Sequence, residues 1–105
     1  MSDRITDART LKPGDVVMVA VELRDRRTGG TYWWKRFCAV LAKPTTRLNA
    51  VVVTLKQEID DKDVRDIRFD KDVVTLVEES AWPQGVIAMR MKWIMKGLIK
   101  LEGAD

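Results

Sequence analysis

Lys12-Pro13-Gly14-Asp15-Val16-Val17-Met18-Val19-Ala20-Val21-Glu22-Leu23 is the stretch on which the fold turns. Pro-Gly-Asp makes a turn, and the β-branched run after it reads as a strand over Val16 to Leu23, with Val17, Val19, Val21 and Leu23 on one face at period two. Its other face is almost as apolar, so the strand is expected to be buried on most of its surface. Residues 24–30 then form a charged loop closed by Gly29-Gly30, whose tolerance of positive φ serves a hairpin bend. A second strand follows from Thr31 to Ala42, in which the adjacent Trp33 and Trp34 must point to opposite faces, leaving one of them outward.

Farther along, Pro44-Thr45-Thr46 interrupts the pattern and Leu48 to Lys56 gives a third strand. Val51, Val53 and Leu55 share one face of it, and Val52 and Thr54 the other. An acidic loop at 58–63 leads to two short strands, Val64 to Phe69 and Val73 to Val77, joined at Asp70-Lys71-Asp72. Upstream, residues 1–10 are polar and of mixed charge with nothing to bury, and read as a flexible lead-in to a single domain spanning 11–105.

The segment after Trp82-Pro83-Gln84-Gly85 fits two templates. As a helix it carries Ile87, Met91, Ile94, Leu98 and Leu101 on one stripe, with Lys92, Lys96 and Lys100 opposite. As a strand, Met89, Met91, Trp93 and Met95 alternate with charge, broken by Ile94. The helix, over about 81–101, is preferred because Met and Lys are good helix formers and Pro83 suits a first turn; Gly97 counts against it or ends it early. The expected fold is α+β: a small SH3-like antiparallel β-barrel of about five strands with a C-terminal helix. Its core would hold Val17, Val19, Val21, Val40, Val51, Val53, Leu55, Ile67, Phe69, Leu76 and the helix stripe.

With 105 residues, 46% hydrophobic and 33% charged, the chain has the size of one domain and enough apolar surface to fold. Its apolar runs are far shorter than the ~20 residues of a membrane span. A cytoplasmic protein without a membrane partner is expected. The absence of histidine excludes a His-based triad or a zinc finger, and the single Cys38 has no intramolecular partner. Cys38 reads as a small buried residue. The acidic Asp60, Asp61, Asp63 and Asp66 lack the bend glycine and terminal glutamate of a calcium loop, so neither metal nor cofactor is expected.

The net charge of +3 is modest, but its distribution is not. Arg24, Arg26, Arg27, Lys35 and Arg36 surround Tyr32, Trp33 and Trp34. Cations that neutralise phosphate, interleaved with rings that stack an unpaired base, suit single-stranded nucleic acid or RNA. The alternative is that Tyr32 and one tryptophan are core or plug the barrel and the arginines are a solvated loop. A second surface is drawn on the helix, where Met89 and Trp93 lie beside Lys96 and Lys100 on the wheel, away from the apolar stripe. An exposed tryptophan among lysines points to a partner. If the segment is a strand, or a helix buried on two sides, these residues are core instead.

Lys12-Pro13-Gly14-Asp15-Val16-Val17, a loop ending in glycine, Lys35-Arg36 leading into Ala39-Val40-Leu41, and Val51-Val52-Val53-Thr54 together resemble the SH3-like small barrels of the MazF/PemK toxin type over about residues 12–56. That resemblance implies an endoribonuclease paired with an antitoxin, with Arg36 and Thr54 at the positions associated with RNA cleavage. Phe37 stands where the family has proline, the loop lacks its Gly-x-Glu element, and the tail from Asp63 onward departs from it. The leading functional expectation is a non-enzymatic module, with no catalytic residue, contacting nucleic acid or a nucleic-acid-handling complex through the basic hairpin. Its rival is a small inhibitor or adaptor, of the kind mobile elements encode, docking on a partner protein; the endoribonuclease stands third. The oligomeric state is left open by the sequence.

Overall fold

The structure, a computed structural model, describes residues 4–56 and 64–101. Five antiparallel strands form one sheet: β1 (Val16–Arg24), β2 (Thr31–Val40), β3 (Asn49–Thr54), β4 (Val64–Arg68) and β5 (Val73–Leu76), in the order β4-β3-β2-β1-β5. One helix, α1 (Gln84–Met95), follows. The α+β class with a C-terminal helix is therefore as expected.

Val16 and Val17 are both buried although they point to opposite faces, because the base of the sheet is covered on both sides. One face joins Val17, Val19, Cys38, Val40, Val52, Ile67 and Val74 in a first cluster; the other joins Val16, Ala39, Leu41 and Val53 to Val86, Met89 and Trp93 of α1 in a second. β4 and β5 lie at opposite edges yet are linked only by residues 69–72. Edges of a flat five-stranded sheet would stand ~19 Å apart at ~4.8 Å per spacing. That link is a tight turn, with the amides of Lys71 and Asp72 both donating to the Arg68 carbonyl, so the sheet must roll until its edges approach. Ile67 of β4 and Val74 of β5 meet in the first cluster, which fills the inside of the roll. No ladder joins β4 to β5, so the roll is an open curled sheet rather than a closed barrel.

Several expectations are corrected. Residues 4–10 do contribute to the core: the Ile5 amide donates to Val74 O at 2.7 Å, the Ala8 amide to Arg47 O at 2.8 Å, and Ala8 is fully buried. Small size let Ala8 enter the roll without an apolar pattern to announce it. Val51 and Leu76 were expected in the core but stand exposed, and Val21 is half-buried. Val52 is buried instead, since β3 lies where both faces are partly covered.

The largest correction is in the helix, which is shorter than expected and turned. Gly97, at φ +79, ends it, with the Gly97 amide donating to Ile94 O and the Leu98 amide to Trp93 O, the paired bonds of a Schellman stop. The buried face is Val86, Met89 and Trp93, and the expected stripe is turned outward at Ile87 and Met91, the latter 50% exposed. Val86, Ile87, Met89, Met91, Trp93, Ile94 and Met95 make α1 apolar nearly all round, so periodicity could not choose a face; the bulky indole did. Gly14 seats the helix. At φ +88 it needs glycine, and a Cβ there would meet Leu101 Cδ2 at 2.6 Å; its carbonyl accepts from Arg90 Nε at 2.7 Å.

Candidate functional site

β5 covers β1 only from Val17 to Ala20, and β3 pairs with β2 only from Cys38 to Val40. Among the described residues the last flanking bond on the β3 side runs from the Leu55 amide to Phe37 O. Beyond these points residues 21–24 and 31–34 continue as a two-stranded ribbon with no flanking strand among the described residues. Its tip is a loop in which the Asp25 carboxylate accepts from the Arg27 amide at 2.8 Å and Gly29 adopts φ +73. Arg26 and Arg27 are exposed there.

Directly paired residues share a face, so the register sorts the candidate residues. Leu23↔Tyr32, Val21↔Trp34 and Val19↔Arg36 put Tyr32, Trp34 and Arg36 on the inner face, continuous with the first cluster. Arg24↔Thr31, Glu22↔Trp33 and Ala20↔Lys35 put Arg24, Trp33 and Lys35 on the outer face. Trp33, 49% exposed, is the outward tryptophan; Trp34 is half-buried and packs on the core. Tyr32, at 52%, is also exposed. The basic-aromatic hairpin is thus two surfaces back to back.

The inner surface has a member that the sequence reading passed over. Arg65 pairs with Val52, so it lies on the inner face of β4, and its guanidinium carbon sits 4.5 Å from the Trp34 ring centroid. The Arg36 guanidinium carbon lies 5.3 Å from the same centroid. Arg65 falls in the expected strand Val64 to Phe69, among acidic neighbours, and is not one of the candidate residues drawn from the sequence. Its position two residues before the core residue Ile67 was the available signal, because period two assigns both to one face. Neither guanidinium is ion-paired among the described residues; Arg36 Nη1 donates to Lys35 O at 2.8 Å.

Cys38 lies beneath this group, paired with Thr54 across β2 and β3. Burial pushes its thiol up to about 12, and the nearby charges of Arg65 and Arg36 offset that only in part, so it is no nucleophile. Thr54 and Arg36 share the inner face, but the Thr54 side chain is buried and its hydroxyl has no hydrogen-bond partner among the described residues.

The second expected surface is not there. Met89 and Trp93 are core residues, Trp93 being only 6% exposed, while Lys96 and Lys100 are exposed. Lys96 Nζ lies 5.9 Å from the Trp93 ring centroid, on the solvent side of a buried indole. What α1 does expose is Ile87, Met91 and Met95, one turn apart in succession, with Met95 80% exposed. A shallow cavity of about 310 Å³ lies elsewhere, lined by Lys43, Pro44, Thr45, Asn49, Val51 and Asp66; the Lys43 ammonium is committed to Arg9 O and Leu11 O. The acidic loop at 58–63, with Asp60, Asp61 and Asp63, lies outside the described residues. Among the described residues no helix is long and apolar enough to cross a membrane.

Comparison with protein-family models, with curated proteins and with solved structures finds no match to this chain.

Proposed function

We propose that the protein is a nucleic-acid-binding module whose contact surface is the β1–β2 ribbon. The observation that carries this reading is that a ribbon with no flanking strand among the described residues holds Arg24, Arg26 and Arg27, with Lys35 and Arg36 at its base, against Glu22 and Asp25, and exposes Tyr32 and Trp33 between them. An isolated two-stranded ribbon is marginal in water, so carrying one beyond the sheet is hard to explain by stability. Its arginines neutralise phosphate, and its rings offer stacking faces that every base satisfies. An SH3-like roll is the fold reading that accompanies this proposal, supported by the short β4–β5 link across the sheet edges. Docking on a protein partner is the second reading, favoured by the exposed Ile87, Met91 and Met95 of α1.

The test is titration with single- and double-stranded DNA and RNA oligomers at two salt concentrations, followed by tryptophan fluorescence. The expected result is binding that weakens steeply with salt, at about 0.7 in log–log slope per phosphate for single strands. Arg26→Ala with Arg27→Ala should lower affinity and flatten that slope. No binding at low salt would sink the proposal. A pull-down complex that survives nuclease and moderate salt would then point to the protein partner.

A further inference from the structure

We infer that the inner face of the ribbon seats one nucleotide of a single strand, its phosphate between Arg36 and Arg65 and a neighbouring base on Tyr32. This rests on the ribbon being a nucleic-acid surface and says how that surface is used. Two guanidinium groups converge on one indole, at 5.3 and 4.5 Å from its centroid. They therefore lie within roughly one Debye length of each other, ~10 Å at 0.1 M salt, and repel. No carboxylate among the described residues is ion-paired with either of them. Each has donors to spare: among the described residues Arg36 Nη1 donates to Lys35 O, and Arg65 donates no side-chain hydrogen bond.

An anion bound by both guanidiniums removes the repulsion, and a phosphodiester presents the oxygens that match their forks. Trp34 serves as the wall that holds the two groups side by side, with its own position set by packing on the core. The Cys38–Thr54 pair is the floor, and both guanidiniums are close enough to act electrostatically on the Cys38 thiol. The Thr54 hydroxyl, buried and without a hydrogen-bond partner among the described residues, is the polar group of that floor.

Tyr32 stands on the same face two residues nearer the tip than Trp34, on whose ring both guanidiniums lie, ~7 Å along the strand at ~3.4 Å per residue. That is about one nucleotide of an extended chain. Its half-exposed ring is free to stack, whereas both guanidiniums already occupy the surroundings of the Trp34 ring. Stacking on Tyr32 requires an unpaired base, which selects single strands over duplex.

Fluorescence anisotropy with labelled twelve-nucleotide oligo(dT) and oligo(U), and with a duplex of equal length, tests the seat. Arg36→Gln, Arg65→Gln and their double variant should each weaken single-strand binding. Because one phosphate is shared, the double variant should lose about 0.7 in log–log salt slope, not twice that, and little more affinity than either single variant. Tyr32→Ala should cost roughly ten-fold in single-strand affinity, leave the slope unchanged and erase the preference over duplex. Circular dichroism of each variant controls for folding. Unchanged affinity and slope in the folded double variant, while Arg26→Ala with Arg27→Ala still weakens binding, would overturn the seat and leave the ribbon reading standing. No binding of any oligomer by the unaltered protein would overturn both.

Discussion

The β1–β2 hairpin has a single register from end to end, yet its two halves live in different environments. In the lower half, Val16, Val17 and Val19 face Ala39, Cys38 and Arg36, flanked by β5 and β3 and covered by a cluster on each face. In the upper half, Val21 to Arg24 face Trp34 to Thr31 with no strand on either edge among the described residues. The backbone bonds are the same in both; what differs is neighbours. Strand pairing therefore does not decide where this protein is stable, and coverage of the faces does, since most of the driving force is apolar burial. The upper half is held by its cross-strand pairs and by Trp34, wedged into the top of the core.

The sharpest way to break the comparison is to put a charge into each half on the same face. Val40→Asp, in the fully buried lower half, should abolish the folded state, as a buried unpaired carboxylate costs several kcal/mol against a total stability of ~5–15 kcal/mol. Tyr32→Asp, in the exposed upper half, should leave the melting temperature within a few degrees and remove binding. Equal loss of stability in both variants would show that the ribbon is part of the core.

A smaller effect is expected from Trp34→Ala. Removing a half-buried wedge should cost about 1–3 kcal/mol in thermal or urea melts, less than the ~3–5 kcal/mol of a fully buried tryptophan such as Trp93. Hydrogen exchange should then speed up at residues 21–24 and 31–34 far more than at 16–19 and 38–40. Uniform acceleration would mean that the hairpin opens as one unit.

The smallest effect concerns Cys38, a buried residue of the lower half. Its thiol, pushed up from 9.0 to about 12 by burial, should resist alkylation at pH 8 in the native protein and react on unfolding. The linkage runs one way: below pH 9 the thiol is protonated in both states and contributes no pH dependence. From pH 9 towards 12 the unfolded chain loses the proton first, so stability should fall as pH rises. Rapid native labelling at pH 8 would place Cys38 at the surface and shift the boundary down the hairpin.

Much of this was legible beforehand for local reasons. The Pro13-Gly14 turn, the glycine-closed hairpin loop and the β-branched runs specify strands through dihedral preference and period two, and these operate within a few residues. So did the back-to-back arrangement of Trp33 and Trp34, though not which of them faces out. α1 was legible as a helix but not as to face, because Ile87, Met91 and Ile94 are as apolar as Val86, Met89 and Trp93. Ala8 was missed because a small residue carries no pattern.

Arg65 is the instructive case. Its strand and its parity with Ile67 follow from the chain alone, and so does its positive charge in an acidic neighbourhood. Its meeting with Arg36 on the Trp34 ring does not. Those residues sit on strands separated by β3, and only the roll forced by the four-residue link between opposite sheet edges brings them together. Alternation along a strand is a property of neighbouring peptide units and is written in the sequence; curvature belongs to the whole sheet, and it is curvature that turns a row of cations into a pair.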